Sequence, residues 1–162
     1  MRRRQFLTII GLGLLGGAAT LWRNFASFLQ PHFNAHSAET VKVVTDLMFP
    51  GDGLPGAIAL NIHDRLVAME DLHETMAYGV AWLDSWAKSN GASDFLALDE
   101  SKRSDAIDAA FASETEDARQ FAVILRYHAG LTYYSDPVIK AGFPYTAPPQ
   151  PEGFPDFQDP PQ

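Results

Sequence analysis

An all-helical fold is the architecture this sequence predicts, and three observations predict it. Apolar residues recur three and four positions apart over most of residues 38–142. No run alternates apolar and polar residues as a half-buried strand does. The strong breakers Pro50, Asn90-Gly91 and Pro137 fall at the joints between the periodic segments. The expectation is one small domain of about five helices, residues 38–142, between an N-terminal segment, 1–37, and an extended tail, 143–162.

Ser37 is placed to cap the first helix, which carries Val41, Val44, Leu47 and Met48 and must stop at Pro50. Gly51-Asp52-Gly53-Leu54-Pro55-Gly56 then reads as a tight loop built from breaker residues. A second helix is expected with Ile58, Ile62, Leu66 and Met69 on one face. A third carries Met76, Val80, Leu83 and Ala87, with Trp82 and Trp86 beside that stripe, and ends at Asn90-Gly91 in a left-handed cap. Asp99 caps a fourth helix whose inward residues are Ile107, Ala110 and Phe111. Thr115 precedes a long fifth helix, with Phe121, Ile124, Leu125, His128 and Leu131 inward, running to about Tyr134. Asp136-Pro137 is a cap followed by proline in the first turn, and starts a short helix to Ala141.

Beyond Phe143 the character changes. Pro144, Pro148, Pro149, Pro151, Pro155, Pro160 and Pro161 exclude helix and central strand, so this tail is read as extended. It also carries Phe143, Tyr145, Phe154 and Phe157, which suits a segment lying across a surface, its own or a partner's.

Arg3-Arg4-Gln5-Phe6-Leu7 matches the twin-arginine export pattern R-R-x-F-L, and a mildly apolar, glycine-containing stretch follows it. The expectation is export in the folded state, to the periplasm or the periplasmic face of the inner membrane. The uncharged run from Gln5 to Trp22 lies at the lower edge of bilayer-spanning length, so a retained membrane anchor is the competing reading. Cleavage near Ala35-His36-Ser37 and cleavage near Ala18-Ala19-Thr20 both stay open.

Before Ser37 there are four arginines and no acid, so the remaining residues hold 8 cations against 20 acids. Such a body is unsuited to nucleic acid or to an anionic membrane surface. The absence of cysteine excludes disulfides, thiolate metal sites, Cys-ligated iron–sulfur clusters and covalent haem attachment. The five histidines form no H-E-x-x-H run and no E-x-x-H pair. His128, on the inward face of the fifth helix, reads first as a core or interface histidine. Asp46 and Asp52 flank Pro50, where loop capping accounts for both. No nucleophile elbow or phosphate loop occurs, and the G-x-G-x-x-G spacing of Gly11, Gly13 and Gly16 lacks a strand before it. No catalytic, cofactor-binding or metal residue is assigned.

Two stretches go beyond composition. Val44-Thr45-Asp46-Leu47-Met48-Phe49-Pro50-Gly51-Asp52-Gly53-Leu54-Pro55-Gly56-Ala57 resembles a segment near the start of the gluconate 2-dehydrogenase subunit 3 family. Leu131-Thr132-Tyr133-Tyr134-Ser135-Asp136-Pro137-Val138, followed by Gly142-Phe143-Pro144 and Pro148-Pro149-Gln150-Pro151, is similar to that family's closing signature. The resemblance covers most of residues 38–155, although 58–115 match only in helical pattern, and a twin-arginine leader is usual in the family. It implies the small, or gamma, subunit of a membrane-associated or periplasmic flavoprotein dehydrogenase. In such complexes a large subunit holds FAD and oxidises a sugar, polyol or sugar acid, and a multihaem cytochrome c subunit commonly takes the electrons. The resemblance further implies a non-catalytic, chaperone-like subunit that assists folding and flavin loading of the large subunit. Its signal would carry that partner through the twin-arginine translocase.

On this reading Tyr133, Tyr134, Phe143, Pro144, Tyr145 and Phe154 are the expected partner interface, and Arg3, Arg4, Phe6 and Leu7 the export signal. A free-standing periplasmic helical binding module, its tail packed on its own core, is the alternative. An enzyme using His128 and carboxylates near Asp46 is the third.

Overall fold

The computed structural model describes residues 30–143, and among them six α-helices and two single-turn 3-10 segments account for the regular structure, with no strand. The signal residues Arg3, Arg4, Phe6 and Leu7, the tail beyond Phe143 and the question of a membrane anchor lie outside the described residues. Among the described residues no helix is long and apolar enough to cross a membrane.

Helix α1 spans Ala35–Met48. Its cap is Asn34, three residues before the expected Ser37: the Asn34 side chain accepts a hydrogen bond from the Ser37 N–H at 3.1 Å. Asn caps as well as Ser, so the helix gains a turn and Ser37 is buried inside it. The helical body therefore begins at residue 35, not 38. Val41 and Val44 are fully buried, and the helix ends ahead of Pro50, whose ring disfavours helical geometry in the preceding residue.

The second helix is shorter than its apolar spacing suggests. Helix α2 spans Ile62–Val67, and Ile58 lies outside it in a turn, exposed. Asn61 takes a left-handed conformation with φ 52° and interrupts any helix between the two isoleucines. Met69 likewise falls beyond the helix, half-buried, before the 3-10 turn Glu70–Leu72.

Helix α3, His73–Ser89, buries Met76, Val80, Leu83 and Ala87 and ends at Asn90 with Gly91 at φ 85°, the left-handed stop its sequence announces. A second 3-10 turn, Phe95–Ala97, inserts the fully buried Phe95. Asp84 ties three elements together here. One carboxylate oxygen accepts from the Phe95 N–H at 3.0 Å, and the other meets Nε2 of His36 at 2.9 Å. Helix α4, Glu100–Phe111, is capped by Asp99, which accepts from the Lys102 N–H at 2.9 Å. Ile107 and Ala110 point inward, while Phe111 is only half-buried.

Helix α5, Glu116–Ser135, touches each of the other five helices and is the centre of the domain. Its buried residues are Ala118, Phe121, Ala122, Leu125, Ala129 and Tyr133. The expected stripe is thus rotated: Ile124 and His128 are half-buried and Leu131 is exposed. Alanines take the inward positions because neighbouring helices approach α5 too closely for larger side chains. Helix α6, Pro137–Gly142, starts as the Asp136-Pro137 pair predicts. The buried Asp136 caps it by accepting from the Val138 N–H at 3.0 Å, and its second oxygen accepts from Nη2 of Arg65 at 3.2 Å, fastening α6 to α2.

Two contacts set the packing. The Phe121 ring of α5 lies directly on the bare backbone of Gly79 in α3, where any Cβ would overlap it. Across the domain, the Tyr133 hydroxyl donates to the Pro55 carbonyl at 3.0 Å and holds the 50–56 loop against the end of α5. The loop is closed at its base by the Ala57 N–H donating to the Phe49 carbonyl at 2.9 Å. Gly56 is required there, since a Cβ would come within 2.7 Å of the Gly51 nitrogen.

The same substitution should have opposite signs at two helical glycines. Gly79→Ala drives a methyl into Phe121 and should destabilise the domain by about 1–3 kcal/mol. At Gly130 a new Cβ would meet only the Phe49 ring, at 3.5 Å, so Gly130→Ala should stabilise by about 0.5–1 kcal/mol. Urea denaturation of both variants checks the pair. Tyr133 adds a pH dependence. Burial, helped by the charge of Asp52 and by Tyr134, raises its phenol above the ordinary value of 10.0. A raised folded pKa means that this contribution is complete below the unfolded value and is lost as pH climbs through the folded one. Tyr133→Phe should cost about 1 kcal/mol at neutral pH. The gap between wild type and variant should close above pH ~10, as thermal melts across that range would show.

Candidate functional site

The two stretches quoted above for their family resemblance are more than 70 residues apart in the chain, and folding joins them. Phe49, at the end of α1, has its ring 5.2 Å from Tyr133 and 6.1 Å from Tyr134, the latter edge-on. Tyr133 and Tyr134 stand edge to face at 5.2 Å, and Phe143 lies 6.2 Å from Tyr134. Edge-to-face and tilted aromatic pairs at such separations add to what their burial supplies. Leu54, from the same loop, reaches the backbone of Gly142 at the end of α6. The loop and the C-terminal helices thus form one surface, fixed by an aromatic cluster and the Tyr133–Pro55 hydrogen bond.

The residues expected at a partner interface separate into three groups. Tyr133 is 6 % exposed, so its ring belongs to the core of this chain and it supports the surface from beneath. Its hydroxyl is taken by the Pro55 carbonyl and its ring stands against that of Phe49. Tyr134 and Phe143 are 54 % and 40 % exposed, large aromatic surfaces open to solvent. Pro144, Tyr145 and Phe154 lie outside the described residues. Phe49 was missed as a member of the cluster, although an aromatic before a loop proline is the one available signal.

Also missed was a second apolar stripe on α5. Val123, Tyr127, Leu131 and Tyr134 follow one another at helical spacings of four, four and three, and every one of them is more than half exposed. They fall within about 80° of arc on the side away from Ala122 and Leu125. Two stripes on one helix are legible in the sequence once both are sought. The inward assignment of Leu131 hid the second.

A cleft of roughly 340 Å³ opens beside this surface, lined by Leu47, Met48 and Phe49 of the α1 end, Ile107 and Phe111 of α4, and Arg126 and Tyr134 of α5. The Arg126 guanidinium lies 5.8 Å from the centre of the Phe111 ring, a cation over an aromatic face. The polar residues of the cleft are Ser104, Asp108, Arg126 and Tyr134, and no hydrogen bond joins Ser104 to Asp108.

The histidines are distributed singly. His36 pairs with Asp84, His63 approaches Asp64 at 3.4 Å, and His73 bonds the Val67 carbonyl at 2.7 Å while stacking on Phe33 at 4.1 Å. His128 stands edge-on to Tyr127 at 5.2 Å. Among the described residues no three His, Asp or Glu side chains converge as a metal-ligand set. What the described surface offers chemically is an apolar, aromatic contact face.

No curated protein and no solved structure matches the chain. One family model does, over residues 35–147, and it is described as gluconate 2-dehydrogenase subunit 3. Its limits take in the whole helical body from the first residue of α1, and both halves of the aromatic cluster. Matched over more than two thirds of its length, the chain belongs to the gluconate 2-dehydrogenase subunit 3 family.

Proposed function

We propose that this chain is the non-catalytic small subunit of an exported, flavin-dependent sugar, polyol or sugar-acid dehydrogenase. The observation that carries the reading is the aromatic cluster. Both signature segments of the family converge on it, and it ends in exposed rings rather than in a site of ionisable groups. Aromatic residues on an otherwise charged surface are what protein interfaces gather at their centres. The expected partner is the FAD-binding large subunit, with a multihaem cytochrome c as a possible third component. FAD and haem belong to those partners, and this chain holds neither.

In this reading the subunit assists folding and flavin loading of the large subunit in the cytoplasm. The Arg3-Arg4 signal then takes the joined pair through the twin-arginine translocase, and the complex works in the periplasm or at the periplasmic face of the inner membrane. Family membership supports the association with a dehydrogenase. The arginine pair and the apolar stretch after it support the route.

Replacing Phe143 and Tyr145 by Ala should weaken co-purification of the flavoprotein, since a buried aromatic anchor is typically worth about 2 kcal/mol. Undiminished recovery of a flavin-bearing large subunit would remove these residues from the interface. A wild-type chain that purifies alone, with no flavoprotein, would support the free-standing binding module instead. Changing Arg3 and Arg4 to Lys tests the shared export. Dehydrogenase activity should stay in the cytoplasmic fraction together with this chain, and activity in the periplasm would mean that the signal serves only its owner.

A further inference from the structure

The outward stripe of α5 differs from the rest of the domain in charge as well as in polarity. Residues 33–117 hold five cations and sixteen acids. From residue 118 to 143 there are three cations, Arg119, Arg126 and Lys140, and one acid, Asp136. That acid is buried and engaged by Arg65 and the α6 cap. All three cations are exposed. The stripe from Val123 to Tyr134 runs about 17 Å along the helix, and Val138 and Phe143, both exposed, follow it in the chain. An acidic protein thus presents one apolar face along which, from Arg119 to Phe143, the exposed charges of α5 and α6 are all positive. The exposed Glu116 and Asp117 stand in the first turn of α5, ahead of the stripe, and Asp108 of α4 lines the cleft beside Tyr134.

We infer that the α5 stripe, centred on Tyr127 and Leu131, docks an apolar patch of the flavoprotein subunit whose rim carries carboxylates. This rests on the accessory-subunit reading and extends it from the aromatic cluster to a particular helix face and a particular partner chemistry. Charge is what selects the occupant. A second copy of this chain would set Arg119, Arg126 and Lys140 of each copy near those of the other about a two-fold axis, which opposes pairing. A carboxylate-rimmed partner gains from the same cations, and elsewhere the acidic surface of the domain repels it, so orientation is specified together with contact.

Hydroxyl-radical footprinting of the full chain, free and in complex with its flavin-bearing large subunit, reads the side chains directly. Tyr127 and Leu131 should be oxidised readily in the free chain and protected at least tenfold in the complex. The pair Tyr127→Ser and Leu131→Ser alters only exposed positions, so the free chain should melt as wild type does. Its affinity for the large subunit should fall by about thirtyfold. Arg126→Glu with Lys140→Glu should weaken binding at least tenfold, and added salt should weaken the wild-type complex. If the large subunit binds wild type but leaves Tyr127 and Leu131 reactive, or binds the serine pair unchanged, the inference fails and the accessory reading stands. Failure of wild type to bind any flavoprotein overturns both. Protection already present in a monomeric free chain would assign the stripe to residues 144–162, which are also acidic and aromatic. Protection in a free chain that sediments as a dimer would assign it to a second copy. Either result overturns the inference. Indifference to charge reversal and to salt overturns the carboxylate rim.

Discussion

The contact of Phe121 with the bare backbone at Gly79 sets how closely α3 and α5 approach, and the rest of the domain is arranged around that approach. A phenyl ring lying where a Cβ would be brings two helices nearer than ordinary side chains allow. The neighbours of α5 then close over the alanines at 118, 122 and 129, all of them buried. One helix contacts five others with an inward side on which alanines at 118, 122 and 129 alternate with the large Phe121, Leu125 and Tyr133. A second set of large residues lies on its other side, where Tyr127, Leu131 and Tyr134 face solvent.

The C-terminal end of α5 works differently. There Tyr133 turns inward with its hydroxyl on the Pro55 carbonyl, and the next residue, Tyr134, turns outward. Adjacent residues of a helix project about 100° apart, so the Tyr-Tyr pair must serve two environments at once. The inner ring fixes the loop, and the outer ring extends the surface that the loop and α6 share. A proline- and glycine-rich loop has few side chains with which to hold itself, and a hydrogen bond from a buried phenol to one carbonyl supplies what the loop lacks.

Much of this was legible beforehand, for local reasons. Caps at Asp99 and Asp136, the left-handed stop at Gly91 and the break at Pro50 depend on a few neighbouring residues, and each behaves as its chemistry requires. Two local readings failed because another residue competed. Asn34 capped α1 ahead of Ser37, and a left-handed Asn61 stopped α2 from reaching back to Ile58. The face of α5 was misjudged for a different reason. Periodicity counts apolar side chains, and α5 is apolar on both sides, so the large residues outvoted the alanines that are in fact inside.

By itself the sequence determined the helical class, most helix ends, the acidity of the body and the absence of cysteine chemistry, because these follow from composition and short-range sterics. It also carried the two family segments, since a motif is a local string. Only the tertiary structure decided that these segments meet, that Tyr133 supports the surface while Tyr134 forms it, and that among the described residues α5 keeps a second apolar stripe outside the core. Those outcomes depend on which helix lies against which, and that is set by contacts such as Phe121 on Gly79 and Tyr133 on Pro55, between residues 42 and 78 positions apart.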